Sequence, residues 1–148
     1  MRCRASSATL VMLAPVAERH CIQVRWPDLD GLGHVNHSSI LVYLEVGREA
    51  SFATRDIFGD DYVVRHCEVD YRSELRPTGP HVEYECDRVS LGNTSIRTVE
   101  RLLDPNGECA VEARFTLVMW DAKLRRSRML TPVEREKFAS LEKEHQNG

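Results

Sequence analysis

Apolar and polar positions first alternate at residues 21–26, where Ile22 and Val24 stand against Gln23 and Arg25 until Pro27 intervenes, and this period of two predicts a short strand. A glycine-rich turn over residues 28–34 separates it from a different rhythm. At about 100° per residue, Val42, Ala53, Val46, Ala50, Tyr43, Gly47, Ile40 and Leu44 fill an arc of about 200°. Glu45, Arg48, Glu49, Arg55 and Asp56 crowd into the remainder. The pattern predicts a helix over residues 37–56, capped by the Asn36 side chain. An arc that wide predicts a helix largely wrapped by other structure, and Glu45 and Glu49 with Arg48 are read as a solvated or interface cluster.

Beyond Gly59 the period returns to two. In residues 62–72, Val63, Cys67, Val69 and Tyr71 share one face against His66, Glu68 and Asp70, with Arg65 the one charge on the wrong side. A turn at Arg76-Pro77-Thr78-Gly79-Pro80 leads to Val82, Tyr84 and Cys86 alternating with Glu83, Glu85 and Asp87. Gly92-Asn93 and Asp104-Pro105-Asn106-Gly107 are hairpin signals on either side of a strand over residues 95–103. The longest strand, residues 109–120, sets Cys109, Val111, Ala113, Phe115, Leu117 and Met119 on one face. A charged helix over residues 132–145 ends the chain. Strand, long helix, then four antiparallel strands make an α+β domain in which one sheet face and one apolar helix bury each other.

Composition narrows the partners. The chain has 148 residues, one ordinary domain, and 20 Lys+Arg against 23 Asp+Glu leave a formal charge of −3, too weak a field to argue for nucleic acid or an anionic membrane. The five cysteines (Cys3, Cys21, Cys67, Cys86 and Cys109) are widely spaced and form no C-x-x-C, so neither a disulfide framework nor a zinc site is expected, and a reducing cytoplasm fits. Residues 1–19 imitate a signal peptide poorly, with Pro15 inside a short apolar run. They are read as a disordered arm, or as an extension upstream of a start near Met12, ahead of a single domain over residues 20–148. No apolar stretch approaches the ~20 residues of a membrane helix.

The chemistry concentrates in Val24-Arg25-Trp26-Pro27-Asp28-Leu29-Asp30-Gly31-Leu32-Gly33-His34-Val35-Asn36-His37, followed by Tyr43-Leu44-Glu45 and Arg48. This string resembles the 4-hydroxybenzoyl-CoA thioesterase-like branch of the hotdog superfamily. Asp70-Tyr71, the Arg76–Gly79 turn, the hairpins and Phe115-Thr116-Leu117-Val118 extend the likeness to residues 20–137. The resemblance implies a hotdog fold, a curved antiparallel sheet wrapped around a long central helix. It also implies an acyl-CoA thioesterase, with an acyl carrier protein thioester as the alternative substrate.

Taken alone, Asp30 before Gly31 caps a turn; in the resemblance its position is the family's catalytic carboxylate, acting as nucleophile or as base for water, and the amide matching that of His37 contacts the thioester carbonyl. A carboxylate in a glycine-rich loop entering a helix does sit near outward-pointing amides, and the helix start carries about half a positive charge. Such amides polarise a carbonyl and stabilise the oxyanion formed on attack. His34 matches the catalytic His of plant acyl carrier protein thioesterases, but their Asn between the Asp and the His is Leu32 here. Two roles stay open for it, a substrate-facing imidazole and a loop brace. Gly33, Asn36 and Arg76 are read as substrate-binding residues, although Asn36 is first of all a helix cap.

Other residues are read as follows. Asp28 is a structural carboxylate bonding loop amides, and Glu45 is the reserve catalytic carboxylate. No His or Cys pair has metal-ligand spacing, so neither metal nor cofactor is expected. His66, His81 and Cys67 have no partner that the sequence identifies. Arg125, Arg126 and Arg128 form a solvated turn, with contact to CoA phosphates as the alternative. Ser38 and Ser39 lack a nucleophile elbow. Hydratase or dehydratase chemistry and a non-catalytic acyl-thioester-binding protein are the rival functions. At least a homodimer, or a homotetramer, is expected, with each active site built from two chains and Asp30 of one chain facing residues 62–66 or Arg76 of the other.

Overall fold

The computed structural model describes residues 18–143, so the expected N-terminal arm lies outside them apart from its last two residues. The first strand, β1 (Arg19–Gln23), begins two residues earlier than the alternation predicts, with Arg19 already opposite Glu85. It also ends early, because Trp26–Asp28 wind into a single 3₁₀ turn with Pro27 at its start. Helix α1 (His37–Ala53) starts where predicted, the Asn36 side chain accepting from the Ser38 amide. Its end comes sooner, since Asp56 adopts φ 52 and the Ile57 amide turns back onto the Phe52 carbonyl.

Four strands follow: β2 (Tyr62–Tyr71), β3 (His81–Leu91), β4 (Ser95–Leu103) and β5 (Cys109–Asp121). A two-residue strand, β6 (Arg126–Ser127), folds back on the end of β5. Helices α2 (Pro132–Lys137) and α3 (Ala139–Lys143) stand where a single helix is predicted, whose residues 144–145 lie outside the described ones, and Phe138 between them is buried against Phe52. The sheet is antiparallel throughout, in the order β1-β3-β4-β5-β2. It is an open sheet with β1 and β2 at its ends and does not curl closed around the helix. No helix among the described residues is long and apolar enough to cross a membrane.

Helix α1 packs on β1, β3 and β4. Gly47 makes that approach possible: a Cβ there would stand 2.2 Å from the Tyr84 ring. Ile40, Tyr43, Leu44 and Phe52 face Ile22, Val82, Cys86, Ile96, Leu102 and the β5 row Val111, Ala113, Phe115, Leu117 and Met119.

Three expectations need correction. The helix is only half wrapped, because a single open sheet covers one side, and Leu41, Val42 and Val46 stay exposed. In β2 the register shifts between Val64 and His66, so Arg65 is the extra residue of a bulge and Val64, not Val63, shares a face with Cys67, Val69 and Tyr71. Arg48 is not solvated. Its side chain is 2% exposed, its Nε lies 2.8 Å from Glu100 Oε1, and its guanidinium stacks 4.0 Å from the centre of the Phe115 ring.

Candidate active site

The loop between β1 and α1 is built around two carboxylates with different duties. Asp28 is buried and fully engaged. It accepts from the Arg25 amide (2.9 Å), from Arg25 Nε and Nη2 (3.2 and 2.9 Å) and from the Tyr43 hydroxyl (2.8 Å). The Arg25 side chain holds its carboxyl below the usual range. In turn, burial and the same carboxylate push the Tyr43 hydroxyl up. The Asp28 carbonyl also accepts from the Asn36 amide at 2.7 Å, so this one residue ties the 3₁₀ turn to both the start and the middle of α1.

Between these anchors the chain makes a miniature hairpin. Leu29 bridges Val35, the Asp30 amide donates to the His34 carbonyl (2.8 Å), and Gly33 closes the turn at φ +78, where a side chain is disfavoured. Asp30 sits at its neck. Its Oδ1 accepts from the amides of Leu32 (2.8 Å) and His34 (3.0 Å), which hold the carboxyl below the ordinary range. Turn-capping is therefore one duty of Asp30, but it occupies a single oxygen. Oδ2 accepts no hydrogen bond among the described residues, with His34 Nδ1 3.9 Å away, and the side chain is 37% exposed.

The other predicted residues gather around this neck. The His34 ring points Nε2 at Glu74 Oε2 (3.2 Å), a partner that no motif in the chain predicts. Arg76 reaches over the loop tip with Nη2 3.5 Å from the Leu32 carbonyl and packs 3.9 Å from the Cβ position of Gly33. The segment carrying Glu74 and Arg76 is docked by the Val35 amide on the Leu75 carbonyl. Asn36 spends its oxygen on the amide and hydroxyl of Ser38 (both 3.0 Å). The His37 amide, at the first position of α1, has no partner among the hydrogen bonds of the described residues. Asp30, Gly33, His34, Asn36, His37 and Arg76 thus lie in one neighbourhood: a carboxylate with one free oxygen and a helix start with an unclaimed amide.

Other candidates lie elsewhere. Glu45 is on the exposed side of α1, and His66 and Cys67 are on β2. No group of three or more His, Cys, Asp or Glu among the described residues is arranged to hold a metal. The polar core pair Arg48–Glu100 escaped the sequence reading. Its signal was Glu100 itself, a carboxylate in the inward row Ile96, Thr98, Glu100, Leu102, which demands a buried cation opposite.

A long helix on one face of an antiparallel sheet, with a carboxylate-bearing loop at its N-terminus, defines a hotdog-type protein. Residues 24–144 match the family model described as the Thioesterase-like superfamily, and the chain belongs to that superfamily: it is a thioesterase-like enzyme. It is similar, at 33% identity and a TM-score of 0.73, to a thioesterase from Thermus thermophilus solved with coenzyme A and Zn, over 84% of this chain and 94% of that one. The PA2801 protein of Pseudomonas aeruginosa, a putative thioesterase by its description, is 28% identical with a TM-score of 0.69, over 80% of this chain and 95% of that one. A predicted thioesterase from Bacillus stearothermophilus is 25% identical with a TM-score of 0.74, over 86% of this chain and 97% of that one. No curated protein matches the chain.

Proposed function

We propose that the protein hydrolyses an acyl-CoA to the free acid and CoA, with Asp30 as the reacting carboxylate. The observation that carries this reading is the division of labour within Asp30, whose Oδ1 is fixed by two amides while Oδ2 stays free and accessible. A carboxyl held below its ordinary range is anionic at neutral pH, as a nucleophile or a water-orienting group must be. The His37 amide at the positive end of α1 polarises the thioester carbonyl and steadies the oxyanion. The imidazole of His34, directed at Glu74, positions the loop, and Arg76 and Gly33 shape the approach to it. The coenzyme A bound to the Thermus protein supports CoA over a carrier protein as the leaving thiol.

Release of free thiol from a panel of aryl-, short-, branched- and long-chain acyl-CoAs tests the proposal. Thiol release by wild type and its loss in Asp30→Asn support it. Hydration of an enoyl-CoA without thiol release, or binding without turnover, would replace it with one of the rival functions.

The proposed enzyme is at least a homodimer. Leu41, Val42 and Val46 on α1 are exposed, and so are Val64 and Tyr71 on the terminal strand β2, apolar surface and an unpaired edge that a second copy covers. Sedimentation across a dilution series, read beside specific activity, checks it: activity falls as monomer appears.

A further inference from the structure

We infer that the sheet face turned away from α1 carries a second site, for a phosphate-type anion, centred on Arg97. The register brings Ser90, Arg97, Thr116 and His66 side by side from β3, β4, β5 and β2, one row across four strands. These positions alternate with the buried Val89, Ile96, Thr98, Phe115 and Leu117 and so point away from the helix. Arg88 and Arg114 flank the row from the neighbouring one, where Val99 stands between them. Together they line a concavity of about 430 Å³. Hydroxyls, guanidinium groups and an imidazole converge there, and no carboxylate lines it.

The rest of this face shows why Arg97 stands apart. Arg19, Arg72, Arg88, Arg101 and Arg114 each lie within 3.1 Å of a carboxylate, in a ladder running through Glu83, Asp87, Glu112 and Asp70. Arg97 has no such partner among the described residues. Next to it, Arg88 Nε is shielded from solvent, and although Asp87 Oδ2 is 3.0 Å away it makes no hydrogen bond. A guanidinium without a counter-ion, a second with an unused donor, and two hydroxyls in one hollow match a tetrahedral oxyanion, whose acceptors take several donors at once. The site lies toward the β3–β4 hairpin, at the opposite end of β3 from the segment that docks on the Asp30 loop. It does not depend on the thioesterase reading.

Calorimetric titration of the full chain with inorganic pyrophosphate at low ionic strength tests the site. Wild type binds saturably; Arg97→Ala, which removes an exposed side chain without a structural partner, weakens binding about ten- to hundredfold, the loss of charge-assisted hydrogen bonds. Arg97→Lys retains part of the affinity as a point charge without the fork, and Asp30→Asn binds as wild type. Competition then identifies the source. Displacement of pyrophosphate by CoA but not by pantetheine assigns the anion to the nucleotide end of a CoA thioester, and displacement by neither assigns it to a separate phosphate compound. Failure of wild type to bind saturably, or equal binding by Arg97→Ala, overturns the inference. So does an Arg97→Ala protein that sediments differently while binding pyrophosphate unchanged, which would give this face to a second copy of the chain.

Discussion

Asp30 and Glu100 hold their carboxylates alike, yet in opposite surroundings. Each has one oxygen taken by two donors: Oδ1 of Asp30 by the Leu32 and His34 amides, Oε1 of Glu100 by Arg48 and Thr98. Each has a second oxygen left over. At Asp30 solvent reaches the side chain, and the two amides pull its carboxyl below the ordinary range. At Glu100 the leftover Oε2 is sealed in the core near the equally unpartnered Tyr84 hydroxyl, and burial pushes the carboxyl up despite Arg48. A perturbed carboxylate is thus not by itself a reactive one. The loop carboxylate combines a fixed charge with access, whereas the core carboxylate has neither access nor room, and its effect is on packing and stability.

The contrast breaks most visibly at the core pair. Arg48→Ala leaves Glu100 as an uncompensated buried charge and is expected to cost about 3–5 kcal/mol in denaturant unfolding. Replacing both partners together, Arg48→Met with Glu100→Leu, is expected to restore most of that loss, because no charge is then stranded. A single-site cost below about 1 kcal/mol would mean that water reaches the pair after all.

At the loop the effect moves from stability to rate. Asp30→Asn keeps the shape and the two amide bonds while removing the charge, and kcat is expected to fall about 10²-fold or more with unfolding unchanged. A near-wild-type kcat would shift attention to Glu45.

The acid limb of kcat/KM sharpens the contrast further. Since the Asp30 pKa is lowered, the anion persists as pH falls, and activity that requires it is retained through pH 5 and lost only below the ordinary aspartate value of about 4. A limb near pH 6 would place the reacting group in a drier setting than this loop. The smallest effect expected is none: EDTA leaves turnover unchanged, whereas inactivation reversed by zinc or magnesium would overturn the mechanism.

How far the site could be read ahead of the structure varied residue by residue. Asn36 as cap and Asp28 as structural carboxylate follow from local rules, because an N-cap bonds within its own first turn and Asp28 binds its neighbour Arg25. The use of Asp30 as a turn cap was equally local. Glu74 beside His34 was not legible, since that contact joins residues far apart in the chain across the β2–β3 connection. Arg48 was misread for the same reason: a helical wheel reports that a position is polar, not whether a carboxylate waits beneath it.

By itself, then, the sequence determined the order of the elements, the start of α1, the strand hairpins and the identity of the loop that carries the proposed reacting carboxylate. These rest on periodicity, capping and turn chemistry, which act over a few residues. Only the tertiary structure decided which side of α1 is covered, how the Arg65 bulge puts Val64 in place of Val63 on the inner face of β2, and that Arg48 and Glu100 meet in the core. It also set Arg97 in a row of donors without a carboxylate. Those outcomes depend on strand register and on which surfaces meet, and both are settled by contacts between residues that the chain itself keeps far apart.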